Sequence, residues 1–272
     1  MSETWNLGAD AFTGTAAAYL RYRPPYPAKL LEDLLAQASV PAGGALLDLA
    51  CGPGRVALDI AGSFRSIMAI DLEPEMIDVG KAEAARRGIG GVTWLVGRAE
   101  DVVLPANSLD LITIGEAFHR LDQQLVVERA REWLRPGGCI VTLGATGFLA
   151  GTEPWQKTVA LIAQLWMRRK FPTGLAAGRP GAEVGPGASE RVLRWAGFAD
   201  VASRDVSEIR AWSFEEIVGF LASMSTCSKH ALGADFAAFE ADLSSALRDE
   251  PGAPPFHEAW RCGYTLGRKA GP

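Results

Sequence analysis

Leu46-Leu47-Asp48-Leu49-Ala50-Cys51-Gly52-Pro53-Gly54-Arg55-Val56-Ala57 decides how this 272-residue chain is read. Ala45 to Ala50 is short and apolar apart from Asp48, the pattern of a strand buried on both faces. Cys51-Gly52-Pro53-Gly54 is a tight turn. Beyond it Val56, Ile60 and Phe64 recur at every fourth residue, which predicts a helix laying one stripe on a sheet. The glycines let the backbone come close to a ligand, and the helix N-terminus offers free N–H groups.

Working outward, the same alternation repeats. Pro27 opens a helix with Leu30, Leu31, Leu34 and Leu35 at helical spacing, and Pro41, Gly43 and Gly44 stop it. Ser66 to Ile70 reads as a strand ending at Asp71, and Pro74 opens a helix to Arg87 that Gly88 caps. Val92 to Val96 and Leu109 to Ile114 are strands, Gln123 to Leu134 is a helix, and Cys139 to Leu143 is a fifth strand after Arg135-Pro136-Gly137-Gly138. Strands alternating with helices predict a doubly wound α/β fold with a mostly parallel sheet.

After Gly144 the pattern changes. A helix carrying Trp155, Ile162, Leu165 and Trp166 is expected within 151–171, another over Ser189 to Ala196, and a late strand over Asp200 to Val206. Ser213-Phe214-Glu215-Glu216 has capping-box spacing, and Phe236, Phe239 and Leu243 mark an amphipathic helix. The expected division is an N-terminal helical cap (1–43), a core (44–150 with 189–210), a lid insertion (151–188) and a C-terminal helical region (211–272). The chain holds 30 glycines and 16 prolines. Eight of the sixteen residues at 172–187 are Gly or Pro, so that segment is expected to gate a ligand site.

Composition removes several classes of function. A net charge of −5 gives no electrostatic footprint for a nucleic-acid backbone. Met1 to Asp10 lacks the basic and apolar regions of a signal peptide, and no apolar run of about 18 residues occurs to span a membrane. Cys51, Cys139, Cys227 and Cys262 are far apart, with no C-x-x-C or H-E-x-x-H, so neither a metal site nor a disulfide framework is expected. The expectation is a soluble, cytoplasmic protein whose partner is a small molecule. Its Ala, Gly and Arg usage points to a GC-rich bacterial source and to specialised metabolism.

Asp71 follows Gly52 by nineteen positions, where an acid at the end of the second strand accepts the hydroxyls of a ribose. Gly52-x-Gly54-x-x-Ala57 matches the dinucleotide fingerprint. A pyrophosphate, however, is served best by a helix N-terminus clear of anionic side chains. Asp48 lies just before the turn and suits a cationic ligand. S-adenosylmethionine carries an ammonium and a sulfonium and no phosphate.

Asp48-Leu49-Ala50-Cys51-Gly52-Pro53-Gly54 resembles the first motif of class I S-adenosylmethionine-dependent methyltransferases. The resemblance continues through Asp71-Leu72-Glu73-Pro74-Glu75-Met76, Gly97-Arg98-Ala99-Glu100-Asp101 and Arg135-Pro136-Gly137-Gly138. Glu116-Ala117-Phe118-His119 and Tyr22-Arg23-Pro24-Pro25-Tyr26-Pro27 are similar to a small-molecule branch that includes the trans-aconitate methyltransferase-like proteins. The resemblance covers roughly residues 12–145. It implies a seven-stranded Rossmann-like methyltransferase fold with S-adenosyl-L-methionine as cofactor.

By that resemblance Ala50, Gly52 and Gly54 lie under the methionine part of the cofactor, and Asp48 lies near its ammonium. Asp71 holds the ribose, Leu72 and Met76 flank the adenine, and Ala99 and Glu100 lie at its edge. Arg98 stands where the family often has an acid, which passes the adenine N6 contact to Glu100 or a backbone carbonyl. Tyr22 and Arg23, with Tyr19 and Tyr26, form an aromatic and basic segment stiffened by Pro24, Pro25 and Pro27. It is expected to close over the cofactor, with aromatic faces toward the sulfonium and Arg23 on its carboxylate.

His119, after the fourth strand, is the first candidate for a base that takes the acceptor's proton, and Glu116 is the second. Arg168-Arg169-Lys170 reads as a solvated helix face, and helical spacing makes Trp155, Trp166, Phe171 and Trp212 mainly packing residues. The expected reaction is methyl transfer to a small-molecule oxygen, in preference to nitrogen or carbon. A non-methylating binder of the same cofactor, either a cyclase or a regulator, stands as an alternative. An NAD(P)-dependent oxidoreductase is a weaker one, because no Tyr-x-x-x-Lys pair follows the fourth or fifth strand.

Overall fold

The computed structural model describes residues 10–172, 179, 181–248, 250 and 254–271. In chain order the elements are α1 (Ala16–Tyr22), α2 (Ala28–Ala38), β1 (Gly44–Leu49), α3 (Arg55–Asp59), β2 (Phe64–Asp71), α4 (Pro74–Arg86), β3 (Val92–Val96), β4 (Leu109–Gly115) and α5 (Gln123–Trp133). They continue with β5 (Leu134–Ala145), α6 (Pro154–Lys170), α7 (Ala188–Trp195), β6 (Ala199–Trp212), α8 (Phe214–Ala222), α9 (Lys229–Leu232), α10 (Phe236–Arg248) and β7 (Phe256–Arg268).

One seven-stranded sheet runs in the order β3-β2-β1-β4-β5-β7-β6. The pairs β1–β2, β1–β4, β2–β3 and β4–β5 are parallel, so the doubly wound, mostly parallel expectation holds. Order reverses between β2-β1 and β4-β5, which opens a crevice outside the carboxyl ends of β1 and β4. Register places Asp48 beside Ala69 on β2 and Thr113 on β4.

The chain forms two compact units. The first comprises Pro25–Gly144, Ala177–Val206 and Cys262–Pro272. Its core joins Leu47, Leu49, Ile112 and Ile114 from the strands to Val126, Val127 and Ala130 on α5 and Leu193 on α7, all buried. Each such large aliphatic side chain contributes about 1.5–3 kcal/mol by leaving water. The second comprises Met1–Pro24, Ala145–Ala176 and Ser207–Arg261. There Phe148, Trp155, Trp212, Phe220 and Phe256 pack with Phe239 and Leu243. Capping boxes open α6 (Glu153 with Gln156) and α8 (Ser213 with Glu216), and Arg168, Arg169 and Lys170 lie in the last turn of α6, where positive charge favours the helix dipole. Trp155, Phe171 and Trp212 are buried and Trp166 donates to Asp242 at 3.0 Å, so the packing reading of these aromatics describes their surroundings.

Several sequence expectations change. Residues 211–272 are not a wholly helical region: Phe256, Glu258, Trp260, Cys262, Tyr264 and Leu266 alternate inward along β7, a period of two that only a strand can bury. The helix of 27–38 belongs with the sheet unit, and 151–171 groups with 207–261 rather than standing as a separate insertion. The Val56-Ile60-Phe64 stripe is broken. Helix α3 ends at Asp59, a 3₁₀ turn covers Ala61–Ser63, and Phe64 opens β2, because Gly62 and Ser63 disfavour helix continuation. Strand β5 starts at Leu134, and a register shift between Leu109 and Leu111 absorbs the Arg135–Gly138 turn. Of the expected gate at 172–187, residues 173–178 and 180 lie outside the described residues. No helix among the described residues is long and apolar enough to cross a membrane.

Candidate functional site

Four turns of the sheet unit carry most of the candidate residues: 50–54 after β1, 71–73 at the end of β2, 97–101 after β3, and 115–120 at the end of β4. Asp48 sits beneath the first, 1% exposed. One carboxylate oxygen accepts from the Thr113 hydroxyl at 2.7 Å, the other from the Ala57 N–H at 3.3 Å. Burial, with the charge of Asp71 as a smaller contribution, pushes its pKa up to about 7. Asp48 is therefore sealed under the turn instead of projecting from it.

The turn alternates left-handed residues: Ala50 at φ 50°, Gly52 at 55° and Gly54 at 75°. Ala50 carries the Cβ strain of that region, about 1–2 kcal/mol. At Gly54 a Cβ would run into the Trp94 indole, and at Gly80 on α4 it would lie 2.6 Å from the same ring. The absent side chain at Gly54 is thus filled by protein. Trp94, on β3, is a structural residue of the site that the sequence reading missed; the glycine within α4 was its one signal.

Asp71 ties the second turn to the first. It accepts from the Gly52 N–H at 2.7 Å and from the Glu73 N–H at 2.9 Å, one on each oxygen. Burial raises its pKa. A carboxylate has about four lone-pair sites, so both oxygens keep capacity for a ribose diol. Leu72 beside it is 40% exposed, whereas Met76 is 2% exposed and packs inward. Ala99 and Glu100 are buried in a 3₁₀ turn. Glu100 accepts from the Asp122 N–H at 3.0 Å and the Arg179 guanidinium at 3.4 Å, with Arg98 at 3.5 Å from its other oxygen. Its carboxylate is directed at the protein.

Glu116 directly follows β4 at φ 56° and donates its N–H to the Leu143 carbonyl at 2.9 Å. A left-handed glutamate at a crevice is backbone strain of the kind that gathers at functional sites. His119, half-buried in the 3₁₀ turn Phe118–Arg120, has its pKa lowered from 6.5 by burial first and by Arg120 second. The imidazole is accordingly neutral at pH 7. Arg120 itself is lowered by burial and raised by the charge of Asp71, so a guanidinium stands within electrostatic reach of the second-strand acid. Tyr26 is buried, and its hydroxyl would lie 3.3 Å from a Cβ at Gly115, with Val56 at 3.2 Å. Tyr26, expected in the segment closing over the cofactor, is here buried against Gly115; Arg120 is not singled out by the sequence.

Tyr22 and Arg23 belong to the other unit. The Tyr22 hydroxyl donates to Glu215 at 2.8 Å, and its ring fills the space where Gly219 lacks a Cβ. Arg23 donates to the Ser223 hydroxyl at 2.9 Å and lies over the rings of Tyr19 and Phe220 at 4.5 and 4.9 Å. Both are engaged with α8. In the sheet unit the donor set fits an adenosyl amino acid. A paired-oxygen acid ends β2, and a buried carboxylate sits under the glycine turn.

Comparison with known proteins agrees. The model of the family described as "Methyltransferase domain" matches residues 46–138, from β1 to the turn inside β5. An uncharacterized methyltransferase of Mycobacterium tuberculosis is 31% identical over 128 residues, 47% of this chain and 49% of that protein. Nocamycin O-methyltransferase of Saccharothrix syringae is 32% identical over 190 residues, 64% of this chain and 66% of its own length. The chain thus spans about half to two-thirds of the curated relatives it matches. The crystal structure of YcgJ from Bacillus subtilis superposes with a TM-score of 0.57 at 17% identity, covering 90% of this chain and 99% of that one, which shows the shared fold. Residues 46–138 of this chain are thus similar to a methyltransferase domain, and the fold around them is that of the solved neighbour.

Proposed function

We propose that the protein transfers the methyl group of S-adenosylmethionine to an oxygen of a small-molecule acceptor. The observation that carries this reading is the stitching of Asp71 to Gly52, 2.7 Å apart, in the turn above the buried Asp48. It gives one acid to a ribose and sets a second carboxyl group beneath an amino acid. The similarity to nocamycin O-methyltransferase supports an oxygen acceptor and a role in specialised bacterial biosynthesis. A net charge of −5 supports a small-molecule partner over a nucleic acid, and a cytoplasmic setting is part of the proposal.

The sulfonium cofactor supplies an activated methyl group that needs no further electrophilic help. This chain's residues bind and orient. Asp71 takes the ribose hydroxyls, Leu72 borders the adenine together with the 99–100 turn while the buried Met76 backs that wall from within, and Ala50, Gly52 and Gly54 pass under the amino-acid portion. Asp48 favours a cation above the turn. His119 accepts the acceptor's proton, and its lowered pKa keeps it in the base form; Glu116 is the second group placed to do so. Holding acceptor and methyl group in line supplies the remainder of the acceleration.

The test is a thermal-shift comparison. S-adenosylhomocysteine is expected to stabilise the protein, and stabilisation by NADH alone would refute the proposal. In His119→Ala, affinity for S-adenosylhomocysteine is expected to persist while turnover falls at least about tenfold. Binding without turnover of any acceptor would favour a non-methylating role on the same scaffold.

A further inference from the structure

We infer that Arg179 is a positioning residue, a bolt that joins the turn carrying Ala99 and Glu100 to the turn carrying His119. The inference rests on the proposed function for the meaning of those two turns, but the bolt itself is a matter of geometry. The Arg179 N–H donates to the His119 carbonyl at 3.0 Å. Its guanidinium donates to Asp122 at 2.9 Å and to Glu100 at 3.4 Å. Three groups on two different turns therefore meet one residue distant from both in sequence.

The two carboxylates are each used twice over. Asp122 caps α5 with one oxygen, accepting from the Leu125 N–H at 3.2 Å, and receives Arg179 on the other. Its own N–H donates to Glu100 at 3.0 Å. Glu100 is 8% exposed, and a buried carboxylate depends on its donors. A planar, forked guanidinium can address two carboxylates at once, which a lysine ammonium does far less well.

The attachment is repeated four residues on. The Gln123 side-chain amide and the Glu183 backbone exchange two hydrogen bonds, at 3.0 and 2.7 Å. Glu183 in turn receives the Arg191 fork at 3.1 and 2.8 Å. Residues 179 and 183 are thus both fastened to the 119–123 segment, and Arg179 also reaches across to Glu100. A ligand seated at the 99–100 edge bears on the backbone of the turn whose Glu100 carboxylate, facing inward, holds the His119 turn. The bolt makes occupancy of the cofactor edge felt at the candidate base, and it gives Glu100 a role different from direct adenine contact.

The experiment follows the imidazole directly. Histidine is ¹³C-labelled, and the His119 signal is identified among the three histidines by its loss in His119→Gln. Spectra are taken near pH 8, above the ordinary histidine range of about 6.5. In Arg179→Ala the His119 signal is expected to move in the ligand-free protein while His230 and His257 stay in place. The His119 response to S-adenosylhomocysteine is expected to shrink, and affinity for it to fall about fivefold, the low end of site-to-site couplings. Arg179→Lys keeps the charge without the fork, so it is expected to restore the urea midpoint but not the His119 signal. This second variant decides the matter if the alanine variant does not fold. A wild-type His119 signal and ligand response in both variants would overturn the inference. Failure of the wild type to bind S-adenosylhomocysteine would count against the proposed function alone, because the ligand-free comparison still reads the bolt.

Discussion

Asp48→Asn should make the ligand-free protein more stable, and increasingly so as pH rises. Asp48 has a pKa near 3.8 in an unfolded chain and about 7 when buried. Between those values the unfolded chain releases the proton and the folded one holds it. Stability contributed by this group is therefore lost as pH climbs from about 4 to about 7, and is constant above that. Every tenfold weakening of acidity corresponds to about 1.36 kcal/mol, so a window of about three pH units costs roughly 4 kcal/mol.

Asparagine escapes that cost without leaving its partners unsatisfied. Its carbonyl oxygen can accept from the Ala57 N–H and its amide can donate to the Thr113 hydroxyl, the two groups that Asp48 now contacts. Relative to wild type, the variant is expected to gain about 2 kcal/mol at pH 5.5 and about 4 kcal/mol at pH 8.5. Titrations of groups remote from Asp48 are common to the two proteins and cancel in the difference, and the coupling to Asp71 is the smaller contribution. Urea unfolding at the two pH values, with the denaturant slope unchanged between proteins, gives both numbers. A stability difference that is flat with pH, or a variant less stable at both, would refute the reasoning. The gain should come with weaker binding of S-adenosylhomocysteine, since a site that keeps a costly buried charge trades stability for ligand.

Two further substitutions test the frame around the site. Gly54→Ala places a methyl group in the Trp94 indole at a left-handed φ of 75°, so a loss of about 2–5 kcal/mol is expected from left-handed strain plus overpacking; adding Trp94→Leu should recover the packing part, and a wild-type melting temperature for Gly54→Ala alone would contradict the geometry. Ser213→Ala removes the hydroxyl that accepts from the Glu216 N–H at 3.2 Å and should cost about 1 kcal/mol, read as a lower urea midpoint.

Local patterns account for what was legible in the residues alone. A parallel strand, its turn and the next helix are consecutive in sequence, so Asp48, Gly52, Gly54 and Asp71 could be placed by spacing and by the buried-strand composition of β1 and β4. His119 and Glu116 followed from being the first polar residues beyond β4. The capping box at Ser213 was equally readable, because its hydrogen bonds close within one turn.

The tertiary structure decided everything that joins segments distant in sequence. Strand β7 inserts between β5 and β6, and its alternation was masked by a helical neighbourhood. Trp94, some forty residues beyond Gly54, sets the need for glycine there, and Tyr26 reaches Gly115. The Glu100 carboxylate, expected at an adenine, is held by Arg98, Asp122 and Arg179. Spacing along the chain determines which side chains share a strand or a helix face. Which carboxylate meets which distant guanidinium is set by packing in three dimensions, where the cost of burying a charge selects its partner.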